Sequence, residues 1–216
     1  MAAKAPDARW QDDVSVDRFP RVLFLPGASG DGGFWSGVAE RLPAAWTRKQ
    51  LNWPGAGNQP HDPRICGFDD LVDLAAAKLD GSADLVAQSM GGVVAIGLAL
   101  RWPERVRRLI LVATSGGVDV LGFGAAEWRD EYRAEFPRAA SWVSQERLDY
   151  TESIASVSAP TLLIWGDSDP ISPVTVGEHL NAMLPNSTLR VLAGGTHMLA
   201  LERPDAVASL IVEHLS

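Results

Sequence analysis

Five short apolar runs punctuate the chain. Val22-Leu23-Phe24-Leu25 stops at Pro26-Gly27, and Leu85-Val86-Ala87, Leu109-Ile110-Leu111-Val112-Ala113, Thr161-Leu162-Leu163-Ile164-Trp165 and Leu189-Arg190-Val191-Leu192 follow. Such runs, bounded by glycine or proline, predict strands of a sheet covered on both faces. Between them lie stretches of helical periodicity at 68–79, 91–101, 174–184 and 204–215, and a further helix is expected to begin near Phe34. Pro103 and Pro185 close the second and third stretches, because proline cannot continue a helix. Strands alternating with helices imply βαβ crossovers, hence an α/β fold built on a mostly parallel sheet flanked by helices.

The alternation lapses between 118 and 158. No buried strand is legible there, yet Phe123, Trp128, Tyr132, Phe136, Trp142 and Tyr150 are interspersed with charges. That aromatic content is too high for a disordered linker, and long insertions in compact domains are commonly functional. The segment is therefore expected to be a short, largely helical lid inserted into a single domain spanning 1–216.

Composition narrows the chemistry. The 216 residues are long enough for one well-buried core, and 46% apolar with 21% charged residues is an ordinary globular balance. A net charge of −8 opposes nucleic-acid binding, which needs clustered Lys and Arg. The acidic N-terminus has neither the basic start nor the apolar stretch of a secretory signal, and no window approaches the roughly 18 apolar residues of a membrane span. A cytoplasmic protein with no membrane partner is the expectation, as monomer or homodimer. The single cysteine, Cys66, cannot form an internal disulfide and is expected to be a small structural hydrophobe.

Ser89 lies in Ala87-Gln88-Ser89-Met90-Gly91-Gly92, where a predicted strand gives way to a helix. A serine on so sharp a turn is exposed at the C-terminal edge of the sheet, and the turn tolerates only small residues two before and two after it. Ala87 and Gly91 satisfy that requirement. The first N–H groups of the following helix point toward the same spot, ready for negative charge. A serine hydroxyl needs a base to become a nucleophile. His179 and His214 fall within helical patterns, and His61 lies in a proline-rich loop, 60–63, with no evident role. His197 follows Gly194-Gly195-Thr196 after the last predicted strand, where α/β proteins build their sites. An acid to orient the imidazole is available in Trp165-Gly166-Asp167-Ser168-Asp169-Pro170; spacing alone does not choose between Asp167 and Asp169. Serine, then Asp, then His is the chain order of the α/β-hydrolase triad.

Taken together, these segments resemble the α/β-hydrolase superfamily, and within it the small lidded serine esterases that include pimeloyl-ester carboxylesterases. Phe24-Leu25-Pro26-Gly27-Ala28 is similar to the family's first loop, Trp102-Pro103-Glu104-Arg105-Val106 to the segment after the nucleophile helix, and Gly195-Thr196-His197 through Glu202-Arg203-Pro204 to its base loop. Residues 165–173 are similar to the acid loop, and the resemblance selects Asp169 as the acid. It further implies an oxyanion hole from the N–H groups of Ala28 and Met90. Two positions depart from the family pattern: Ala87 stands where glycine is usual and Pro26 where histidine is usual. The likeness runs from Val22 to the C-terminus. With only about twenty residues before Val22, it implies a trimmed sheet of about six or seven strands.

The resemblance implies hydrolysis of a small carboxylic ester through Ser89, His197 and Asp169, with an acyl-enzyme and no cofactor or metal. Gly30-Asp31-Gly32-Gly33 has neither the spacing nor the lysine of a phosphate loop. A lyase or C–C bond hydrolase using the same triad is the alternative, and a non-catalytic receptor a more distant one. Trp35, Phe123, Trp142 and Met198 are candidates to line the substrate pocket. Arg129 and Arg133 read as ion-pair partners of Glu127, Glu131 and Glu135 on a solvated helix face rather than as a carboxylate clamp.

Overall fold

A computed structural model describes residues 19–216. The acidic N-terminal stretch read for targeting signals lies almost wholly outside the described residues. Among the described residues, six strands form one sheet: β1 (Arg21–Leu25), β2 (Thr47–Gln50), β3 (Ala83–Gln88), β4 (Val106–Val112), β5 (Thr161–Gly166) and β6 (Ser187–Leu192). Their spatial order is β2-β1-β3-β4-β5-β6, and every pairing is parallel. The α-helices that connect and cover them are α1 (Ser36–Arg41), α2 (Phe68–Ala76), α3 (Met90–Arg101), α4 (Arg129–Glu135), α5 (Trp142–Gln145), α6 (Val174–Met183), α7 (Leu199–Glu202) and α8 (Pro204–Leu215).

The continuous apolar runs work by alternation across the sheet. Leu23, Leu25, Leu85, Ala87, Leu109, Leu111, Leu163 and Trp165 face one core with α2, α3 and α6. Val22, Phe24, Val86, Ile110, Val112, Leu162 and Ile164 face a second core with α1 and α8. Successive side chains of a strand point to opposite faces, so a strand buried on both must be apolar throughout. Each fully buried aliphatic side chain contributes about 1.5–3 kcal/mol.

Strand β2 has no counterpart among the five apolar runs. Its sequence, Thr-Arg-Lys-Gln, is polar because it forms the sheet's edge and is nowhere buried. Charged edge strands resist further pairing, and the same charges conceal them from a search for apolar runs.

The 118–158 segment is less helical than expected. It holds α4, α5 and two single 3₁₀ turns, Leu121–Phe123 and Ile154–Ser156, with irregular chain between. Gly124, in the left-handed conformation at φ 80°, ends the first turn, and Pro137 follows α4. Tyr132, Trp142, Val143 and Ile154 tie the segment into the core of the α3 side. Cys66 also differs from expectation: its loop leaves it exposed, with the thiol 3.6 Å from the Pro63 carbonyl.

Candidate active site

Ser89 occupies a strained turn between β3 and α3, with φ 51° and ψ −121°. Non-glycine residues adopt such angles only where the surroundings hold them. Here Ser89 N–H donates to Val112 O at 3.0 Å, while Ser89 O accepts from Gly92 N at 2.9 Å and from Thr114 Oγ1 at 2.6 Å. The small residues that follow are sterically required. A Cβ at Gly91 would lie 2.5 Å from the carbonyl oxygens of Leu25 and Pro26, and one at Gly92 would lie 2.4 Å from Thr114 Oγ1. Ala87 is fully buried within β3, where its methyl packs into the core of the α3 side.

The loops after β5 and β6 bring the other two groups to this turn. His197 Nε2 is 3.1 Å from Ser89 Oγ, and His197 Nδ1 is 2.8 Å from Asp169 Oδ2. Asp169 is buried, and its second oxygen accepts the N–H groups of Ile171 at 2.8 Å and Ser172 at 3.0 Å. Those bonds fix the carboxylate so that one oxygen is left for the imidazole. Asp167 instead joins the two loops, its Oδ1 accepting Gly194 N–H at 2.5 Å and Ser168 Oγ–H at 3.1 Å. The geometry separates two aspartates that spacing does not.

The first loop lies directly beside the serine, since a Cβ at Gly27 would approach Ser89 Cβ to 3.3 Å. Met90 N begins α3, a helix of 12 residues whose positive end faces the same place. A cavity of about 500 Å³ opens against Ser89, Met90 and His197, and the 118–158 segment supplies most of its remaining wall.

The four aromatic and thioether side chains expected in that wall lie elsewhere. Trp35 is fully buried on the opposite face of the sheet, packed on Phe24 and Phe34, with Nε1 donating to Leu25 O at 3.1 Å. Phe123 stacks on His179 of α6 at 4.1 Å. Trp142 is buried edge-on against Phe68, and Met198 is exposed. In their place Phe68, Val93, Trp128, Leu148 and Ile171 provide apolar lining.

The two arginines part company. Arg133 makes an ion pair on the solvated face as expected, but with Asp130 rather than with any of the three glutamates. Arg129 makes the expected pair with Glu127, but at the cavity wall rather than on a solvated face: its backbone N–H and guanidinium each donate to Glu127 Oε1 at 3.0 Å, and it lies over the Trp128 ring. Those two donors hold the Glu127 carboxyl below the usual carboxylate range.

The chain matches the alpha/beta hydrolase family over residues 22–210. It belongs to that family. Among curated proteins it is 26% identical to a pimeloyl-[acyl-carrier protein] methyl ester esterase of Neisseria meningitidis serogroup C, over 90% of this chain and 93% of the relative. A protein of the same name from Nitrosomonas europaea is 25% identical over 88% and 93% of the two chains. Among solved structures, a thermophilic esterase from Thermogutta terrifontis superposes with a TM-score of 0.74 at 24% identity, covering 90% of this chain and 88% of the other. A hydrolase from Pseudomonas aeruginosa does so at 0.74 and 20%, covering 93% and 91%. At these identities the structural likeness concerns the fold.

Two residues of the hydrolase carry no motif that sequence reading could single out. Gln88 is buried, and its Nε2 donates to His197 O at 3.3 Å, linking the serine strand to the histidine loop. Its position directly before the serine is the only signal it gives. Thr114, which holds the Ser89 carbonyl, lies just past the end of β4 in a segment without a motif. Among the described residues no cluster of His, Cys, Asp and Glu is suited to a metal, and no helix is long and apolar enough to cross a membrane.

Proposed function

We propose that this hydrolase cleaves a small carboxylic ester through an acyl-enzyme on Ser89. The observation that carries the reading is the hydrogen-bond chain from Ser89 Oγ through His197 to Asp169, at the wall of a cavity large enough for a small acyl group. Relatives named as methyl ester esterases support an ester as the substrate class.

In this reading His197 Nε2 takes the hydroxyl proton as Ser89 Oγ bonds to the ester carbonyl carbon. Asp169 holds Nδ1–H and stabilises the imidazolium. The tetrahedral oxyanion accepts the N–H groups of Ala28 and Met90. When it collapses, the alcohol oxygen departs with the proton from His197. Water then surrenders a proton to the same nitrogen, attacks the acyl carbon and releases the acid, restoring Ser89. The apolar side chains of the cavity give an acyl chain a place to pack, beside the charged Asp119, Glu127, Arg129, Glu146, Arg147 and Asp149 that share its wall, and 118–158 serves as a lid that screens the reaction from water.

The deciding experiment is intact-protein mass after treatment with a fluorophosphonate, beside hydrolysis of short-chain p-nitrophenyl esters. A single adduct with turnover, both lost in Ser89→Ala, is the expected result. An adduct without turnover would redirect the reading toward a lyase, and no adduct would remove Ser89 as nucleophile.

A further inference from the structure

Nearly every carbonyl in the first loop is engaged. Trp53 Nε1 donates to Pro26 O at 2.7 Å, Gly30 N to Gly27 O at 3.0 Å, and Trp53 N to Gly30 O at 2.9 Å. The carbonyl of Ala28 is held from much farther along the chain, by the hydroxyl of Tyr132 in α4 at 3.0 Å. That hydroxyl also accepts the Gly57 N–H at 2.8 Å. Gly57 sits at φ 53° and so close to the first loop that a Cβ there would lie 2.1 Å from Ser29 O. One oxygen thus joins three segments: the first loop, the loop around Gly57, and the 118–158 segment. The Tyr132 ring is fixed between Trp128, at 5.6 Å, and Phe136, at 5.1 Å.

We infer that Tyr132 is a positioning residue for the Ala28 N–H, setting its aim at the developing oxyanion. The inference rests on the triad and oxyanion reading above. The Ala28 N–H shares a peptide plane with the Gly27 carbonyl, which Gly30 N restrains from one side. On the other side of the Ala28 Cα, the remaining soft torsion is set by where the Ala28 carbonyl points. Only the Tyr132 hydroxyl holds that carbonyl among the described residues. Preorganised donors are effective because they need no reorientation as charge develops. Burial raises the Tyr132 phenol above its ordinary value, so it remains a protonated donor at neutral pH. Since Tyr132 belongs to 118–158, a shift of that segment also shifts the oxyanion donor.

Tyr132→Phe keeps the ring and removes the hydroxyl. Turnover of a p-nitrophenyl ester should fall about 10-fold in kcat, less than the roughly 10²–10³ lost when a donor is deleted outright, because the N–H remains but is misdirected. KM should change less than about twofold, since the ground-state ester makes little use of the donor. Affinity for a trifluoromethyl ketone, whose adduct carries the tetrahedral oxyanion, should fall by the same factor as kcat. Ile154→Val, fully buried in the same segment and outside the cavity wall, is the control for packing, expected to lower Tm while leaving kcat and ketone affinity unchanged. A Tyr132→Phe enzyme with wild-type kcat and ketone affinity, or one that only loses Tm as Ile154→Val does, would overturn the positioning role. Ser89→Ala, measured in parallel, separates the two layers. If Ser89→Ala is inactive while Tyr132→Phe is normal, only the positioning role fails. If Ser89→Ala retains turnover, the triad reading fails and takes the positioning role with it.

Discussion

The serine turn and the 118–158 segment meet at one cavity but are held by different means. At the turn, Ser89 is bound by partners from the end of β4, the residues just beyond it and the first turn of α3, and glycines at 91 and 92 press against neighbouring atoms at distances no Cβ tolerates. In the segment, short helices are joined by irregular chain. Its polar contacts include ion pairs, Arg133 with Asp130 on the solvated face and Arg129 with Glu127 at the cavity wall. Ties to the rest of the domain exist at Tyr132, at Ala140 N–H to Gly55 O (2.7 Å) and, at the surface, at His61 Nε2 to Arg138 O (2.8 Å). The serine turn is thus fixed by the sheet and its first flanking turns, whereas the segment is held by short helices and a small number of contacts to the rest of the domain.

This contrast can be broken from either side. The largest effect is expected from Asp169→Asn, which keeps an acceptor for Ile171 and Ser172 but alters the bond to His197 Nδ1. Activity on p-nitrophenyl esters should drop about 10³–10⁴-fold with an unchanged melting temperature, as expected when the imidazole is held in the wrong tautomer. Asp167→Asn should retain near wild-type activity, and equal losses in the two variants would refute the assignment of roles. Gly91→Ala comes next. Its methyl would be driven against two backbone oxygens of the first loop, for a destabilisation of about 3 kcal/mol in urea unfolding and loss of probe labelling. The smallest effect belongs to the segment: Arg133→Ala removes a pair whose members are 49% and 86% exposed. Tm should move by less than about 2 °C. A larger shift would mean that the segment is bound to the sheet as firmly as the serine turn.

The four inner strands are legible in the sequence because burial on both sides of the sheet writes an unbroken apolar run. Even β6, a partly exposed edge strand, declares itself through its leucines and valine. The other edge, β2, does not, since its threonine, arginine, lysine and glutamine carry no apolar signal. Ser89 and His197 are legible from their places after strands, because a parallel sheet delivers every strand's C-terminal end to one edge. The cavity wall is illegible for the complementary reason. An aromatic residue in a sequence does not declare which face of the sheet it will occupy, and Trp35 lies on the face away from the serine.

The order of apolar runs and breakers therefore determined the α/β architecture, the serine turn and the histidine loop, since each depends on local periodicity and on glycine's lack of a Cβ. Tertiary structure decided which of two neighbouring aspartates meets the imidazole, which side chains line the cavity, and that a tyrosine 104 residues away holds the Ala28 carbonyl. Those are contacts between segments distant in sequence. They are set by how loops after different strands pack together, and no local pattern encodes that distance.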